Sequence, residues 1–206
     1  IIVVGGGPSG STTAALVAEA GFRTLLLERD TEPRRKVGES LMPETYWVFD
    51  RLGVLDGLKN GPFVQKVGVQ FVSSSGKESS PFLFTQHDPR PCGRTWHVER
   101  AKFDQFLLDN AAKKGVEVVR GARVLDVVFN RDRATGVRLA DGESASAGGR
   151  SGANPNTLRA QVVVDATGQA GLLGARFKLR QPNPKFRKAA VWGHFRGSRR
   201  DVIDGG

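Results

Sequence analysis

The chain begins with Ile1-Ile2-Val3-Val4-Gly5-Gly6-Gly7-Pro8-Ser9-Gly10, in which four apolar residues lead into a glycine-rich turn. Small and apolar residues then recur at helical spacing, and a second apolar run, 25–27, ends at the acid Glu28. This order predicts a strand, a tight turn, a helix and a second strand. The spacing G-x-G-x-x-G between a strand and a helix indicates a dinucleotide site, and this context favours it over the alternative, a glycine turn without a ligand.

The glycines of the turn have separate physical roles in such a site. Gly5 permits the tight turn, Gly7 lets the backbone approach a pyrophosphate, and Gly10 lets the helix pack close to the first strand. The helix begins near Pro8 and Ser9. We expect the N–H groups and the positive dipole end of its first turn to face the phosphates.

The acid at the end of the second strand completes the predicted site. Glu28 follows the turn by about 20 residues, the spacing at which a carboxylate accepts hydrogen bonds from ribose hydroxyls. Arg29 comes directly after it and is included among the expected cofactor-binding residues.

The composition limits the classes of protein to which the chain can belong. It has 206 residues, 39% of them hydrophobic, and no apolar run near the roughly 18 residues needed to span a bilayer, so we expect a globular protein without a membrane span. The formal net charge of +10 favours anionic partners such as phosphates, a halide or an acidic carrier protein. Nucleic acid is not expected, because no basic stripe is interleaved with aromatic residues. A solvated basic surface is the alternative explanation of the charge.

The cysteine and histidine residues give no indication of a metal site. The single cysteine, Cys92, excludes an internal disulfide and a multi-cysteine metal site. His87, His97 and His194 lack the spacing of metal ligands, so no metal is assigned. No signal peptide precedes the first strand, and a reducing, cytoplasmic location is expected. The first strand starts at residue 1 without an initiator Met, and the last residues complete no element, so we expect a chain truncated at its C-terminus.

Further helices and strands are predicted along the rest of the chain. Helices are expected over 44–52 and from Phe103 to a stop at Gly115. Residues 141–156, dense in Gly, Ser, Ala and Asn, are interpreted as a hairpin tip. Strands are expected over 63–73, 82–84, 95–98, 116–119, 122–129, 136–139, 158–164 and 189–195.

The apolar run Val162-Val163-Val164 leads directly into Asp165-Ala166-Thr167-Gly168. We expect this strand to lie beside the first one. With the N-terminal turn, it resembles the FAD-binding fold of the aromatic hydroxylases and glutathione reductases, and residues 96–107 resemble the V-x-R-x-x-F-D-x-x-L element of that family. The resemblance implies that FAD is bound, that Glu28 holds the adenosine ribose, and that Arg100, Asp165 and Gly168 lie near the cofactor. For Arg100, a surface cation at a helix start is the alternative.

A third segment narrows the family. The sequence Lys36-Val37-Gly38-Glu39-Ser40-Leu41-Met42-Pro43, which we call the strap, resembles the V-G-E-[AS]-x-x-P segment of the flavin-dependent halogenases. In that family the segment runs along the isoalloxazine ring, between the flavin and the substrate chamber. The resemblance therefore implies cofactor contacts from Gly38, Glu39, Ser40 and Leu41.

The strand after the strap carries the expected catalytic residue. The sequence Lys66-Val67-Gly68-Val69-Gln70-Phe71-Val72 is similar to the strand on which those halogenases carry an essential lysine, which implies that Lys66 is catalytic. In that family a flavin hydroperoxide oxidises chloride or bromide to hypohalous acid. An ammonium group would hydrogen-bond this oxidant, an amine would capture it, and burial would tune the proton affinity of the amine. An ordinary solvent-facing strand residue is the alternative for Lys66.

The last recognisable segment is Ala190-Val191-Trp192-Gly193-His194-Phe195-Arg196-Gly197. It looks like the A-V-W-G-H-[FY] strand of halogenases that act on phenols or pyrroles, often while these are tethered to carrier proteins. Trp192 and His194 share one face of a strand, so both are candidates for substrate binding. Core packing is the alternative for Trp192.

Together these patterns predict an α/β fold. A Rossmann-like FAD-binding domain with a parallel sheet is expected over residues 1–60 and 99–176. A second, mainly antiparallel β-sheet on the substrate side, interleaved with the first domain, is expected over 61–98 and 177–206.

The leading hypothesis is a reduced-flavin-dependent halogenase of secondary metabolism, such as antibiotic biosynthesis, or the N-terminal part of one. It predicts a phenol or pyrrole substrate and a separate flavin reductase, because the sequence has no second fingerprint for a nicotinamide. The family's W-x-W-x-I-P stretch and halide-binding loop are not found in the sequence, so the halide site and the general base stay unassigned. A flavin monooxygenase or prenyl-chain reductase of the same fold is the first alternative. The second is a flavin-binding protein that only docks an acidic partner.

Overall fold

The computed structural model describes residues 1–140, 156–181, 183–185, 193 and 196–197. Apart from Gly193, the predicted strand 189–195, with Trp192 and His194, lies outside the described residues, as does nearly all of the predicted hairpin tip. The chain divides into two compact units: Ile1–Arg34 with Ala101–Arg187, and Arg35–Arg100 with Lys188–Gly206. We call them the first and the second unit. The domain boundaries expected from the sequence stay a prediction.

The described residues form helices and strands, some of which follow elements of their own kind along the chain. The helices are α1 Pro8–Glu19, α2 Thr45–Leu52, α3 Leu55–Asn60, α4 Phe84–His87, α5 Arg100–Lys113 and α6 Leu172–Arg176. The strands are β1 Ile2–Val4, β2 Leu25–Glu28, β3 Val64–Lys66, β4 Gly68–Val69, β5 Phe82–Leu83, β6 Thr95–His97, β7 Glu117–Arg120, β8 Val124–Asn130, β9 Arg133–Leu139, β10 Thr157–Arg159 and β11 Val163–Asp165.

A parallel sheet with the strand order β11-β1-β2-β7 forms the centre of the first unit. Val3 of β1 is in register with Val164 on one side and with Leu26 on the other. Every residue of β1 and β2 is buried, as expected for parallel strands that are covered on both faces. The predicted position of the strand before Asp165, beside the first strand, is therefore confirmed.

An antiparallel sheet in the order β10-β9-β8 packs against this parallel sheet. Because both sheets present aliphatic side chains, they share one core. Its buried members are Ile2, Val4, Leu25, Leu27, Ala122, Val127, Val137, Leu139 and Leu158.

The predicted single strand over 158–164 is wrong, because it consists of two strands in two different sheets. Thr157–Arg159 pairs antiparallel with β9, whereas Val163–Asp165 pairs parallel with β1. Leu158 belongs to the shared core and Val163 packs against it. The apolar pattern therefore continues through the residues where the chain changes sheets, and periodicity alone does not reveal the break.

The second unit contains two short antiparallel pairs, β3 with β6 and β4 with β5, together with α2, α3 and α4. The predicted strand over 63–73 is interrupted: β3 ends at Lys66, and β4 begins at Gly68 with a different partner. A Cβ atom on Gly68 would lie 2.5 Å from the carbonyl oxygen of Phe82, so only glycine allows this close approach. Phe71, within the predicted strand, is 71% exposed.

The predicted mixed α/β class, with a parallel sheet and separate antiparallel sheets, is confirmed. In the part of the chain that the structure describes, no helix combines the length and the apolar character required to cross a membrane.

Candidate functional site

The glycine turn between β1 and α1 is closed by steric contacts that admit no side chain. Gly5 has a φ of +106°, and a Cβ atom there would lie 2.4 Å from the carbonyl oxygen of Ala166. A Cβ atom on Gly10 would lie 1.8 Å from the carbonyl oxygen of Gly5. Both distances are far below van der Waals contact. The turn, the first turn of α1 and the loop after β11 can therefore pack together only with glycine at both positions.

Gly7 differs from these two glycines because its surroundings are open. A Cβ atom there would meet no protein atom within 4 Å. Gly7 is the extended residue before α1, and Pro8 occupies the first turn of this 12-residue helix. The first N–H groups of a helix lack intrahelical acceptors and carry its positive dipole end. This arrangement fits a pyrophosphate that approaches the backbone at Gly7, since a side chain there would occupy that space.

Glu28 is held at the end of β2 by the backbone beside the turn. Its side chain accepts hydrogen bonds from the Gly6 N–H at 2.6 Å and from the Asp30 N–H at 2.9 Å, one on each carboxylate oxygen. A carboxylate has about four acceptor positions, so capacity remains for ribose hydroxyls. The residue is 8% exposed, and its orientation is fixed before any ligand binds. The donor and acceptor set of this turn fits FAD.

Asp30, which sequence reasoning did not select, organises the chain after Glu28. Its buried carboxylate accepts a hydrogen bond from Arg34 and lies 3.5 Å from Arg29 Nε. The other carboxylate oxygen, Oδ2, is buried without a hydrogen-bond partner among the described residues. Arg29, expected to bind the cofactor, is thus an exposed cation anchored by its neighbour. Only its position two residues after Glu28 could have drawn attention to Asp30.

Both carboxylate oxygens of Asp165 accept hydrogen bonds from the segment that follows β11. One of its oxygens accepts hydrogen bonds from the Thr167 hydroxyl at 2.6 Å and the Thr167 N–H at 3.1 Å, and the other accepts the Leu173 N–H at 2.7 Å. Partial burial acts to raise the pKa of Asp165, but these hydrogen bonds outweigh it and hold the pKa below its ordinary value. Gly168, with a φ of +63°, begins the turn that Asp165 organises.

In the second unit, the strap lies along β6 and is joined to it by an isolated β-bridge and main-chain hydrogen bonds. Ser40 and His97 form an antiparallel bridge. The Val98 N–H donates to the Glu39 carbonyl at 2.7 Å, and the Leu41 N–H donates to the Trp96 carbonyl at 3.0 Å. The main chain therefore fixes the strap over 39–41.

Lys66 is the last residue of β3 and is 7% exposed. It lies opposite Thr95 in β6, and its Nζ donates to the Leu41 carbonyl of the strap at 3.3 Å. The same nitrogen lies 5.1 Å from the centre of the Phe84 ring, within the range of a cation–π contact. The structure thus brings the predicted catalytic lysine and the strap together. The alternative, a solvent-facing strand residue, is wrong.

Burial lowers the pKa of Lys66 from its ordinary value, because desolvation penalises the charged form. His97, in the neighbouring strand, also has a lowered pKa, chiefly through burial and then through the charge of Lys66. An amine with a lowered pKa is a stronger candidate for nucleophilic work near neutral pH. Sequence reasoning missed Thr95 and Phe84, because neither a cross-strand partner nor a cation–π contact leaves a motif in the sequence.

Glu44, Asp88 and Cys92 form a cluster whose possible ligand atoms lie within 4.8 Å of one another. Arg90 donates to Glu44 at 3.0 Å and to Asp88 at 2.6 Å, and this hydrogen bonding lowers the pKa of Asp88. Burial raises the pKa of the Cys92 thiol, which donates to Asp88. Arg90 pairs with both carboxylates, so the cluster forms an ion-pair network that links the start of α2 with the turn after α4.

Comparison with known proteins agrees with the fold and with the glycine turn. Residues 1–195 match the family described as FAD binding domain. The chain is 33% identical to the 1H-pyrrole-2-carbonyl-[peptidyl-carrier protein] chlorinase of Pseudomonas fluorescens, over 95% of this chain and 45% of that protein. It is also 33% identical to the tryptophan 2-halogenase of Chondromyces crocatus, over 96% of this chain and 36% of that protein.

Solved structures give the same result. The myxobacterial chondrochloren halogenase CndH is 41% identical, with a TM-score of 0.67 over 80% of this chain and 36% of that chain. A flavoprotein/dehydrogenase of Cytophaga hutchinsonii is 31% identical, with a TM-score of 0.74 over 89% of this chain and 42% of that chain. The chain spans less than half the length of these relatives. It belongs to the FAD-binding domain family, and the relatives to which it is similar include flavin-dependent halogenases.

Proposed function

We propose that this chain supplies the flavin-binding turn and the catalytic lysine of a reduced-flavin-dependent halogenase that acts on an electron-rich aromatic ring. The observation that carries the proposal is Lys66, a buried lysine whose Nζ donates to the strap and whose pKa is lowered by burial. Burying an amine is costly unless its environment accommodates it, so a buried lysine in this setting favours a chemical role.

FAD is the cofactor, and the first unit offers the residues to hold it. We propose that the turn from Gly5 to Gly10 holds the pyrophosphate, that Glu28 holds the ribose, and that Gly38, Glu39, Ser40, Leu41 and Arg100 approach the ring system. When it is bound and reduced, the cofactor would react with molecular oxygen and so supply the oxidising power that converts a halide ion to hypohalous acid. A separate flavin reductase would provide the reduced form.

The proposed work of Lys66 is to capture the halogen and deliver it. The neutral amine attacks the halogen of hypohalous acid, an N–halogen bond forms, and the hydroxyl leaves as water with the amine proton. An aromatic carbon then takes the halogen, the ring loses its proton, and the amine is restored. The lowered pKa of Lys66 raises the fraction of neutral amine that can enter this sequence. The protonated form would instead polarise the oxidant through a hydrogen bond.

A phenol or a pyrrole, free or carried by an acidic carrier protein, is the proposed substrate. Two observations support it: the similarity to a chlorinase of a pyrrole on a peptidyl-carrier protein, and the formal net charge of +10, which attracts acidic partners. Trp192 and His194 are proposed to line the substrate chamber, and they lie outside the described residues.

A flavin monooxygenase of the same fold is the second candidate, because the similarity to a flavoprotein/dehydrogenase extends the likeness to a flavoprotein whose name does not include halogenation. Such an enzyme would use the same glycine turn and Glu28, but it would have no chemical need for Lys66. The two candidates therefore differ in halide dependence and in their response to loss of the lysine.

The test uses the full-length protein that carries this chain, with FAD, a flavin reductase, oxygen, chloride or bromide, and a panel of free and carrier-bound phenols and pyrroles. We expect halogenated product by mass spectrometry, and a loss of about 100-fold or more in Lys66→Met. Lys77→Met is the matched control, because Lys77 is an exposed lysine of the same unit. Hydroxylated product without a halide requirement would select the monooxygenase. FAD retention without any product would leave only a flavin-binding protein.

A further inference from the structure

The hydrogen bonds of the strap change character along its length. In the centre, over 39–41, the bonds run between main chains and join the strap to β6. Side chains bind the carbonyls on either side of this ladder, at Val37 and Leu41, and we call these two positions the ends of the strap. The Val37 carbonyl accepts from Arg100 Nη1 at 3.0 Å, and the Leu41 carbonyl accepts from Lys66 Nζ at 3.3 Å.

The first end of the strap is shaped around Arg100. Gly38 has a φ of +106°, which disfavours any residue with a side chain. A Cβ atom on Gly38 would also lie 3.1 Å from Arg100 Nη1, so the guanidinium passes closely over this glycine. The conformation of Gly38 and the hydrogen bond to Val37 are independent observations, and both place the guanidinium against the strap.

The second end of the strap is reached across a neighbouring strand. His97 of β6 pairs with Val64 of β3 and also bridges to Ser40 of the strap, so β6 lies between β3 and the strap. Lys66 lies opposite Thr95, whose side chain is fully buried, and its own side chain extends past this small residue to the Leu41 carbonyl. A lysine is long enough for this reach, and its ammonium is a strong donor to a carbonyl.

We propose that Arg100 and Lys66 clamp the strap at its two ends, so that Arg100 is a positioning residue for the strap and Lys66 has a positioning role besides halogen transfer. The inference rests on the proposed function only where it links strap position to turnover. If the strap is released, its residues that face the cofactor are no longer held in position. Less product should then form for each reduced flavin that is consumed.

Hydrogen exchange in the full-length protein tests the clamp directly. The reporters are the Leu41 and Val98 amides, which form the ladder between the strap and β6. We expect Arg100→Met and Lys66→Met each to speed exchange at these amides by about tenfold, the change expected when a hydrogen bond from a charged donor is lost. Arg94→Met and Lys77→Met are the matched controls, because both side chains are exposed in the same unit. Exchange that stays at the wild-type rate in both clamp variants would overturn the proposal.

Two further variants separate positioning from general destabilisation. Arg100→Lys keeps a cationic donor, so it should restore most of the protection and most of the product formed per reduced flavin. Gly38→Ala should displace the guanidinium and also strain the backbone at its φ of +106°, so it should speed exchange at least as much as Arg100→Met. The Val3 amide, in the buried strand β1, reports on global unfolding, which would speed its exchange in these variants. If Arg100→Lys does not restore protection of the Leu41 and Val98 amides, the clamp is rejected.

The outcome for the clamp is independent of the outcome for the proposed function. Failure of the proposed function is read from the wild-type protein, as an absence of halogenated product. Failure of the clamp is read from the exchange rates of Leu41 and Val98, which need no turnover. Faster exchange in the two clamp variants would support the clamp whether or not the wild type forms product.

Discussion

The glycine turn and the strap hold their main chains by different means. The turn is fixed by the absence of side chains, since Cβ atoms at Gly5 and Gly10 would overlap carbonyl oxygens. The strap is held over 39–41 by its main-chain ladder with β6, and Arg100 and Lys66 add side-chain hydrogen bonds to the Val37 and Leu41 carbonyls. The turn is rigid through steric exclusion, which tolerates almost no substitution. The strap depends on single hydrogen bonds, which permit graded changes.

Because of this difference, we expect substitutions in the two regions to affect different properties of the protein. A substitution in the turn should damage the folded structure or the space for the cofactor. A substitution in the strap should leave the fold intact and alter the delivery of halogen. The following predictions test that distinction, from the largest expected effect to the smallest.

Gly10→Ala should have the largest effect on stability. Its Cβ atom would lie 1.8 Å from the Gly5 carbonyl oxygen, so α1 has to move away from the turn. We expect a loss of about 4 kcal/mol or more in the free energy of unfolding, measured by urea denaturation. Gly7→Ala is the matched control, because its Cβ atom meets no protein atom within 4 Å. It should unfold like the wild type but bind FAD about tenfold more weakly. Equal stability of both variants would contradict the steric account of the turn.

Glu28→Gln should weaken FAD binding by about tenfold or more, because a carboxylate is a stronger acceptor for hydroxyls than an amide. The free energy of unfolding should also fall by about 1–3 kcal/mol, since the amide group cannot accept from both the Gly6 and the Asp30 N–H groups. Flavin fluorescence titration and urea denaturation measure the two effects. Glu32→Gln, an exposed acid in the same segment, is the control. Unchanged affinity in Glu28→Gln would remove this residue from the cofactor site.

Asp165→Asn should lower the free energy of unfolding by about 2 kcal/mol at neutral pH, because the amide cannot accept from both Thr167 and Leu173. The folded-state pKa of Asp165 is depressed below the ordinary 3.8. Its contribution to stability is therefore present above the unfolded-state pKa and is lost as the pH falls through the folded-state pKa. Urea denaturation at several acidic pH values should show the two proteins converging. A difference independent of pH would reject the carboxylate as its source.

Lys66→Met should produce the smallest change in stability, with a characteristic dependence on pH. Burial places the folded-state pKa of Lys66 below the ordinary 10.5, so the penalty for its charge is fully present below the folded-state pKa. As the pH rises through that value toward 10.5, the unfolded state binds more protons, and the wild type gains stability relative to Lys66→Met. Urea denaturation at alkaline pH measures this trend, and a falling or flat difference would contradict a desolvated ammonium.

The sequence predicted the parts of the structure that depend on steric exclusion and on apolar pattern. Gly5 and Gly10 are required by close contacts, so G-x-G-x-x-G indicated the turn, and the apolar runs placed β1 and β2. The same pattern failed at 158–164, because Leu158 and Val163 contribute to one core from two sheets. It also failed at Gly68, where β4 begins with a new partner.

For the candidate site, sequence resemblance selected Lys66 as a catalytic candidate, which stays a prediction, and it gave no information on the neighbours of this residue. Thr95 and Phe84 become neighbours of Lys66 only through the pairing of β3 with β6 and through the position of α4. Asp30 was missed because a carboxylate that accepts from nearby arginines has no sequence signature. Such contacts follow from the tertiary fold and leave no periodic trace.

The most direct test of the division between turn and strap measures FAD affinity and halogenated product in the same preparations of Gly7→Ala and Lys66→Met. Lys66→Met should bind FAD within about twofold of the wild type while product falls by about 100-fold or more. Gly7→Ala should lose FAD affinity and recover its product when FAD is raised to saturation. Halogenation that persists in Lys66→Met at saturating FAD would contradict the assignment of halogen delivery to this lysine.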